Sequence, residues 1–141
     1  MRISTKGRYG LAVMIKLGEK RNSFIAISTL SSELGLSKIY LEQVLSLLKN
    51  GGLVSSSKGP QGGYMLTSYT LTVKDILIVL EPALFETVEA ASGDSLMNQI
   101  VVNRIFDPAQ MKVCEVFANI TLESLVSEVL ERRMETPMFY I

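Results

Sequence analysis

The sequence predicts a mainly α-helical chain carrying one small β-hairpin. Three observations predict it. Apolar residues recur at helical spacing along most of the chain. Serine, threonine and glycine punctuate that pattern where helices begin and end. One glycine- and proline-rich stretch separates two short strand-like runs.

The first helical stripe runs over residues 8–20, with Tyr9, Ala12, Val13 and Leu17 on one side. Arg21-Asn22-Ser23 breaks it. Ser28 is placed to cap a short helix through Leu34, with Leu30 and Leu34 facing inward, and Gly35 supplies the turn. Ser37 is placed to cap a longer helix to about Lys49. Its inner stripe is Leu41, Val44, Leu45 and Leu48, spaced i, i+3, i+4, i+7. Asn50-Gly51-Gly52 is expected to end this helix through left-handed backbone. Leu53–Ser57 and Tyr64–Thr67 read as strands around the turn Lys58-Gly59-Pro60-Gln61-Gly62-Gly63.

Thr72 caps a further helix, with Asp75 where a capping box places its acid. Val73, Ile76, Leu77 and Leu80 share one face, and Pro82 stops the helix. Residues 82–95 read as irregular, with Ala90-Ala91-Ser92-Gly93 mobile. A helix follows from Leu96 to Phe106. Asp107 and Pro108 then read as the N-cap and first residue of a new helix, since proline lacks the N–H that this position would leave unused. Met111, Cys114, Phe117 and Ala118 form its apolar side. A last helical stretch carries Leu122, Leu125, Val126 and Val129, and the Pro137-broken tail ends in Phe139-Tyr140-Ile141.

Length and composition bound the function. The chain has 141 residues, 48% hydrophobic and 20% charged, an ordinary balance for one globular unit. The longest apolar runs, Ile76–Leu80 among them, are far below a membrane span, and the opening residues lack an apolar leader core. These features predict a cytoplasmic protein without a membrane partner. One cysteine excludes an internal disulfide and a four-cysteine zinc site. The absence of histidine excludes a Ser-His triad and histidine metal sites. No acid–base–nucleophile set is visible, so the expectation is a non-enzyme with no cofactor.

The formal net charge of zero hides an asymmetry. Residues 1–72 hold nine basic and three acidic residues, giving +6, whereas residues 73–141 hold five basic and eleven acidic residues, giving −6. The division predicts two regions, 1–72 and 73–141, with different tasks. A basic half fits a polyanion. Helix, short helix, glycine turn, longer helix and glycine-tipped hairpin is also the order of a winged helix-turn-helix. With its stripe buried, the second helix of the pair turns Lys38, Tyr40, Glu42, Gln43, Ser46 and Lys49 outward. Gln43 suits adenine N6 and N7, and Glu42 can accept from cytosine N4. At the hairpin tip, Lys58 stands beside Gly59, Gly62 and Gly63, glycines that let backbone approach a narrow minor groove. Arg2, Lys6 and Arg8 add cations for the DNA backbone.

The opening Met1-Arg2-Ile3-Ser4-Thr5-Lys6-Gly7-Arg8-Tyr9-Gly10 resembles that of the Rrf-type transcriptional regulators. Tyr40-Leu41-Glu42-Gln43 and Gly59-Pro60-Gln61-Gly62-Gly63-Tyr64 resemble their recognition helix and wing. Val73-Lys74-Asp75-Ile76-Leu77 and Asn119-Ile120-Thr121-Leu122-Glu123-Ser124-Leu125 match later landmarks, so the resemblance covers nearly the whole chain. It implies a homodimer, joined through a long C-terminal helix, on a palindromic double-stranded operator. It implies recognition-helix contacts from Ser37, Tyr40, Glu42 and Gln43, and a wing contact from Lys58.

Two departures shape the expectation. Cluster-binding relatives carry three cysteines in the segment corresponding to about residues 85–105, where this chain has none. Pro108 falls where relatives run a continuous dimerisation helix. The ending Met138-Phe139-Tyr140-Ile141 resembles that of family members that repress cysteine-metabolism genes with a cysteine synthase as corepressor. Phe139, Tyr140 and Ile141 are therefore expected to bind such a synthase, the free carboxylate suiting a backbone nest. Packing of this tail on the dimer core is the competing reading. Cys114, beside Glu115 and at helical spacing with Met111 and Phe117, reads as a packed apolar residue. The sequence thus predicts a repressor of cysteine or sulfur metabolism. A redox- or iron–sulfur-responsive regulator of the same family and a tail-mediated enzyme-binding module are the alternatives.

Overall fold

A computed structural model of the chain describes residues 1–86 and 95–135. The readings of Ala90-Ala91-Ser92-Gly93 and of Phe139, Tyr140 and Ile141 lie outside the described residues. The elements follow as α1 (Thr5–Gly18), α2 (Ile27–Leu34), α3 (Lys38–Asn50), β1 (Val54–Ser57), β2 (Gly63–Leu66) and α4 (Val73–Leu80). A 3-10 turn spans Pro82–Phe85. Then come α5 (Leu96–Val101), a π-helical turn (Val102–Phe106), α6 (Asp107–Ala118) and α7 (Leu122–Glu135). Fold class agrees with the sequence reading: mostly helix, with one two-stranded antiparallel sheet.

α1 begins earlier than its hydropathy suggests, because the Ser4 hydroxyl accepts from Gly7 N–H and caps it. Its buried face is Gly7, Gly10, Val13, Met14, Leu17 and Gly18, while Tyr9 stays 39% exposed at the rim. A side chain at Gly10 would lie 2.2 Å from Leu80 Cδ1, so the absent Cβ is what lets α4 close on α1.

Ser28 does not cap α2. Ile25 pairs with Tyr64 through two 2.9 Å backbone bonds, which keeps the chain extended up to Ala26. The helix therefore starts at Ile27 with Ala26 at the cap position and no side-chain cap, leaving Ser28 exposed in the first turn. α3 is capped by Ser37 and buries Leu41, Val44, Leu45 and Leu48 as predicted. Its end differs in detail: Asn50 and Gly51 stay right-handed, and only Gly52 is left-handed, at φ 77°. One αL residue is enough, because Leu53 N–H bonds Leu48 C=O and Gly52 N–H bonds Lys49 C=O.

β1 and β2 pair antiparallel, from Val54 opposite Leu66 to Ser57 opposite Gly63. The buried Val54 and Leu66 turn their shared face to the helices. Thr72 and Asp75 form the predicted capping box, and α4 buries Val73, Ile76, Leu77 and Leu80. A bridge between Thr72 and Thr121 brings Leu122 of α7 into the core shared by α1–α4 and the sheet.

Asp107 is not an N-cap, and the helix does not restart there. Phe106 and Asp107 are both right-handed helical, and Asp107 N–H reaches back five residues to Val102 C=O. The wider π turn accommodates Pro108, which cannot donate in the ordinary i to i−4 ladder. α5, the π turn and α6 are one continuous helical run without a buried residue.

Candidate nucleic-acid interface

The capping bond from Tyr40 N–H to Ser37 Oγ, 3.1 Å long, fixes the first turn of α3. That turn projects Lys38, Ile39, Glu42 and Gln43 into solvent, with Ile39 71% exposed. Ile39 is the residue that sequence reasoning overlooked. It falls off the buried stripe, and an exposed branched side chain there suits the thymine methyl group.

Tyr40 is placed differently from its neighbours. It is half-buried, its ring meets Tyr9 edge-on at 6.0 Å, and its hydroxyl is buried without a hydrogen bond. Burial, then the neighbouring Tyr9 and the negative charge of Glu81, push its phenol above the usual tyrosine value. The structure therefore brings the end of α4, the start of α1 and the start of α3 to one place.

The wing is braced on both sides. Lys49 Nζ donates to Ser56 Oγ at 2.7 Å, joining α3 to β1. The Ile25–Tyr64 bonds join β2 to the strand-like entry of α2. Gly62 and Gly63 serve this bracing directly. A Cβ on Gly62 would lie 2.2 Å from Ser57 O, and one on Gly63 would lie 2.1 Å from Ile25 O, with φ at 143°. Lys58 and Gly59 are exposed at the tip. Among the described residues, Arg2, Lys6, Arg8, Lys38 and Lys58 form no ion pair. Lys16 and Arg21 of the basic half are used internally. Lys16 bonds Glu19 at 3.1 Å and Glu33 at 2.9 Å, and Arg21 bonds Glu123 at 2.7 Å.

Comparison with known proteins agrees with this geometry. Residues 3–128 match the family described as "Rrf2: Iron-dependent Transcriptional regulator". The chain belongs to the Rrf2 family. It is 39% identical to the HTH-type transcriptional regulator CymR of Bacillus subtilis over the full length of both chains. The solved structure of CymR, the global cysteine regulator of B. subtilis, superposes with a TM-score of 0.77 at 37% identity. That match covers 91% of this chain and 98% of the other. The regulator IscR of Vibrio vulnificus is 28% identical, over 93% of this chain and 82% of its own. This Rrf2 chain is accordingly a DNA-binding transcriptional regulator, not an enzyme.

The iron in the family description can be tested against the donors present. The sequence contains one cysteine, Cys114, and no histidine. Cys114 is half-buried on α6, and no cluster of three metal-ligating side chains exists among the described residues. One thiolate cannot hold an iron–sulfur cluster that takes four protein ligands, so the donor set does not fit. Among the described residues, no helix is long and apolar enough to cross a membrane.

Proposed function

We propose that this Rrf2 protein is a homodimer that binds a palindromic operator and represses genes of cysteine or sulfur metabolism. The observation that carries DNA reading is the braced pair of α3 and wing, whose outward cations Lys38 and Lys58 form no ion pair among the described residues. Lys38, Ile39, Glu42 and Gln43 face base edges in the major groove. Ser37 and Tyr40 frame that turn, Arg2, Lys6 and Arg8 meet phosphates, and Lys58 with Gly59, Gly62 and Gly63 approaches the minor groove. Residues 1–72 are the reading region, and residues 73–141 carry the dimer helices.

Dimerisation is supported by α5–α6, where Leu96, Met97, Ile100, Ile105, Phe106, Met111 and Val116 are all exposed. A monomer rarely leaves so many large apolar side chains in water. The metabolic assignment is supported by full-length similarity to CymR. A cysteine synthase is the corepressor proposed for Phe139, Tyr140 and Ile141, on the family resemblance alone. Deleting Tyr140 and Ile141 should then abolish capture of the synthase while operator binding persists. Loss of melting temperature and DNA affinity together would instead place the tail in the dimer.

Sequencing DNA fragments selected by the purified protein tests the main reading. An inverted repeat should emerge, with affinity falling by a log–log salt slope of about −0.9 per neutralised phosphate. Unenriched fragments, or a monomer in sedimentation at micromolar concentration, would refute it.

A further inference from the structure

The N-terminal arm ahead of α1 is tied down by a residue that belongs to neither the reading helix nor the wing. Glu81 follows α4 immediately and is half-buried. Its Oε1 accepts from Ser4 N–H at 3.1 Å and also from Ser4 Oγ–H. The same Ser4 hydroxyl caps α1 by accepting from Gly7 N–H at 3.4 Å. One carboxylate oxygen thus fixes both the arm and the first turn of α1, across 77 residues of sequence.

The packing around this contact is close. A Cβ on Gly7 would lie 2.9 Å from both Cγ and Oε1 of Glu81, and 2.7 Å from Ile3 Cγ2. Ile3 and Glu81 therefore meet over the face that glycine leaves bare. Arg2 stands two residues before Ser4, exposed and without an ion pair among the described residues. Ahead of it, Met1 borders a cleft of about 220 Å³ with Val113, Val116 and Phe117 of α6. The arm is fixed on the Ser4 side of Arg2, while Met1 remains 77% exposed.

A carboxylate at the edge of a basic DNA-facing surface repels phosphate. Its presence there calls for a compensating role, and the Ser4 contacts supply one. We propose that Glu81 is a positioning residue for DNA binding, holding the N-terminal arm so that Arg2 reaches the phosphate backbone. This inference rests on the reading of Arg2 as a phosphate contact. An arm freed from Glu81 would have to be ordered anew on every encounter with DNA.

The test separates position from charge. Glu81→Gln keeps an acceptor for both Ser4 donors and removes the negative charge, whereas Glu81→Ala removes both. Operator affinity of the full-length protein is measured across a salt series for each, alongside Arg2→Ala and the double variant Arg2→Ala/Glu81→Ala. Glu81→Gln should bind at least as tightly as the parent. Glu81→Ala should weaken binding about tenfold, alike for operator and mismatched DNA, and flatten the salt slope by about 1.8 per dimer, one phosphate per protomer. Arg2→Ala should reproduce that loss, and the double variant should add nothing to it. If Glu81→Ala does not fold, Glu81→Asp carries the same test, because the shorter chain withdraws the carboxylate from Ser4 while keeping its charge. Unchanged or tighter binding by Glu81→Ala, or by Glu81→Asp where that is used, beside a weakened Arg2→Ala overturns the positioning role alone. A neutral Arg2→Ala overturns both that role and the phosphate reading of Arg2.

Discussion

The winged body and the α5–α6 run differ in how far each satisfies its own side chains. In the winged body, α1, α3 and α4 each bury a full apolar face, and Leu30, Leu41, Leu45, Leu48, Ile76 and Leu80 are completely shielded from solvent. Ser4, Ser37 and Thr72 cap α1, α3 and α4, and the hairpin is braced at two points. The α5–α6 run has similarly apolar residues and buries none of them, with Leu96 72% and Met111 72% exposed. One region is complete as a single chain. The other leaves its apolar side chains in solvent, and it is the surface proposed above for a second copy of the chain.

Breaking each region should therefore have a different signature. Leu45→Ala should have the largest effect on stability, about 2–5 kcal/mol, because α3 cannot collapse into the void without moving the reading face. Chemical denaturation should show the loss with sedimentation of the remaining folded protein unchanged. Ile105→Asp should instead leave the protomer folded and abolish the dimer, at a cost of about 3 kcal/mol or more per interface. Sedimentation and operator affinity measure this, and a dimer that survives the substitution would place the interface elsewhere.

Within the winged body, the two parts of the interface should also separate. Gln43→Ala should relax discrimination by about 1–3 kcal/mol at one base pair per half-site. Lys58→Ala should weaken binding more evenly across sequences, apart from A·T-rich flanks, where the minor groove narrows. Affinity measured against a panel of single-base operator variants distinguishes them. An even loss for Gln43→Ala would reassign it to phosphate contact or folding.

The smallest effect concerns the charges that α1 and α2 share. The Lys16 hydrogen bond holds the Glu33 carboxyl below the usual range, and the same bond raises Lys16 against the opposing effect of its burial. A lowered carboxylate value means that the native state favours the ionised form. The stabilisation is complete above the ordinary glutamate value and fades as pH falls through the lowered native one. Glu33→Gln should thus be slightly less stable than the parent at neutral pH, with the difference vanishing in acid. The Lys16 contribution has the opposite sense: it is full below the ordinary value of 10.5 and fades as pH rises through the raised one. Denaturation midpoints over a pH series measure both limbs.

Much of α3, which carries the proposed reading face, was legible from sequence because helical spacing and caps are local. Leu41, Val44, Leu45 and Leu48 announce α3, Ser37 announces its start, and the residues left over are the outward ones. Thr72 with Asp75 announces α4 in the same way. Glycine at helical spacing gave no such signal. Gly7, Gly10 and Gly18 form much of the buried face of α1, yet a hydropathy pattern scores them as neutral. That pattern put Tyr9 in the stripe, when close approach of Leu80 to Gly10 leaves it at the rim against Tyr40.

The sequence by itself determined the element order, the inner stripe of α3, the capping box of α4, the charge split and the lack of ligands for an iron–sulfur cluster. Each of these depends on neighbours within a few residues or on simple counts. Tertiary structure decided what depends on distant partners. The Ile25–Tyr64 pairing set the start of α2 and displaced Ser28 from its cap. The reach of Asp107 N–H to Val102 absorbed Pro108 into a continuous helix. Glu81 met Ser4 from the far end of α4. Hydrogen bonds and close packing between remote segments have no period in the chain, so only the folded backbone reveals which groups they join.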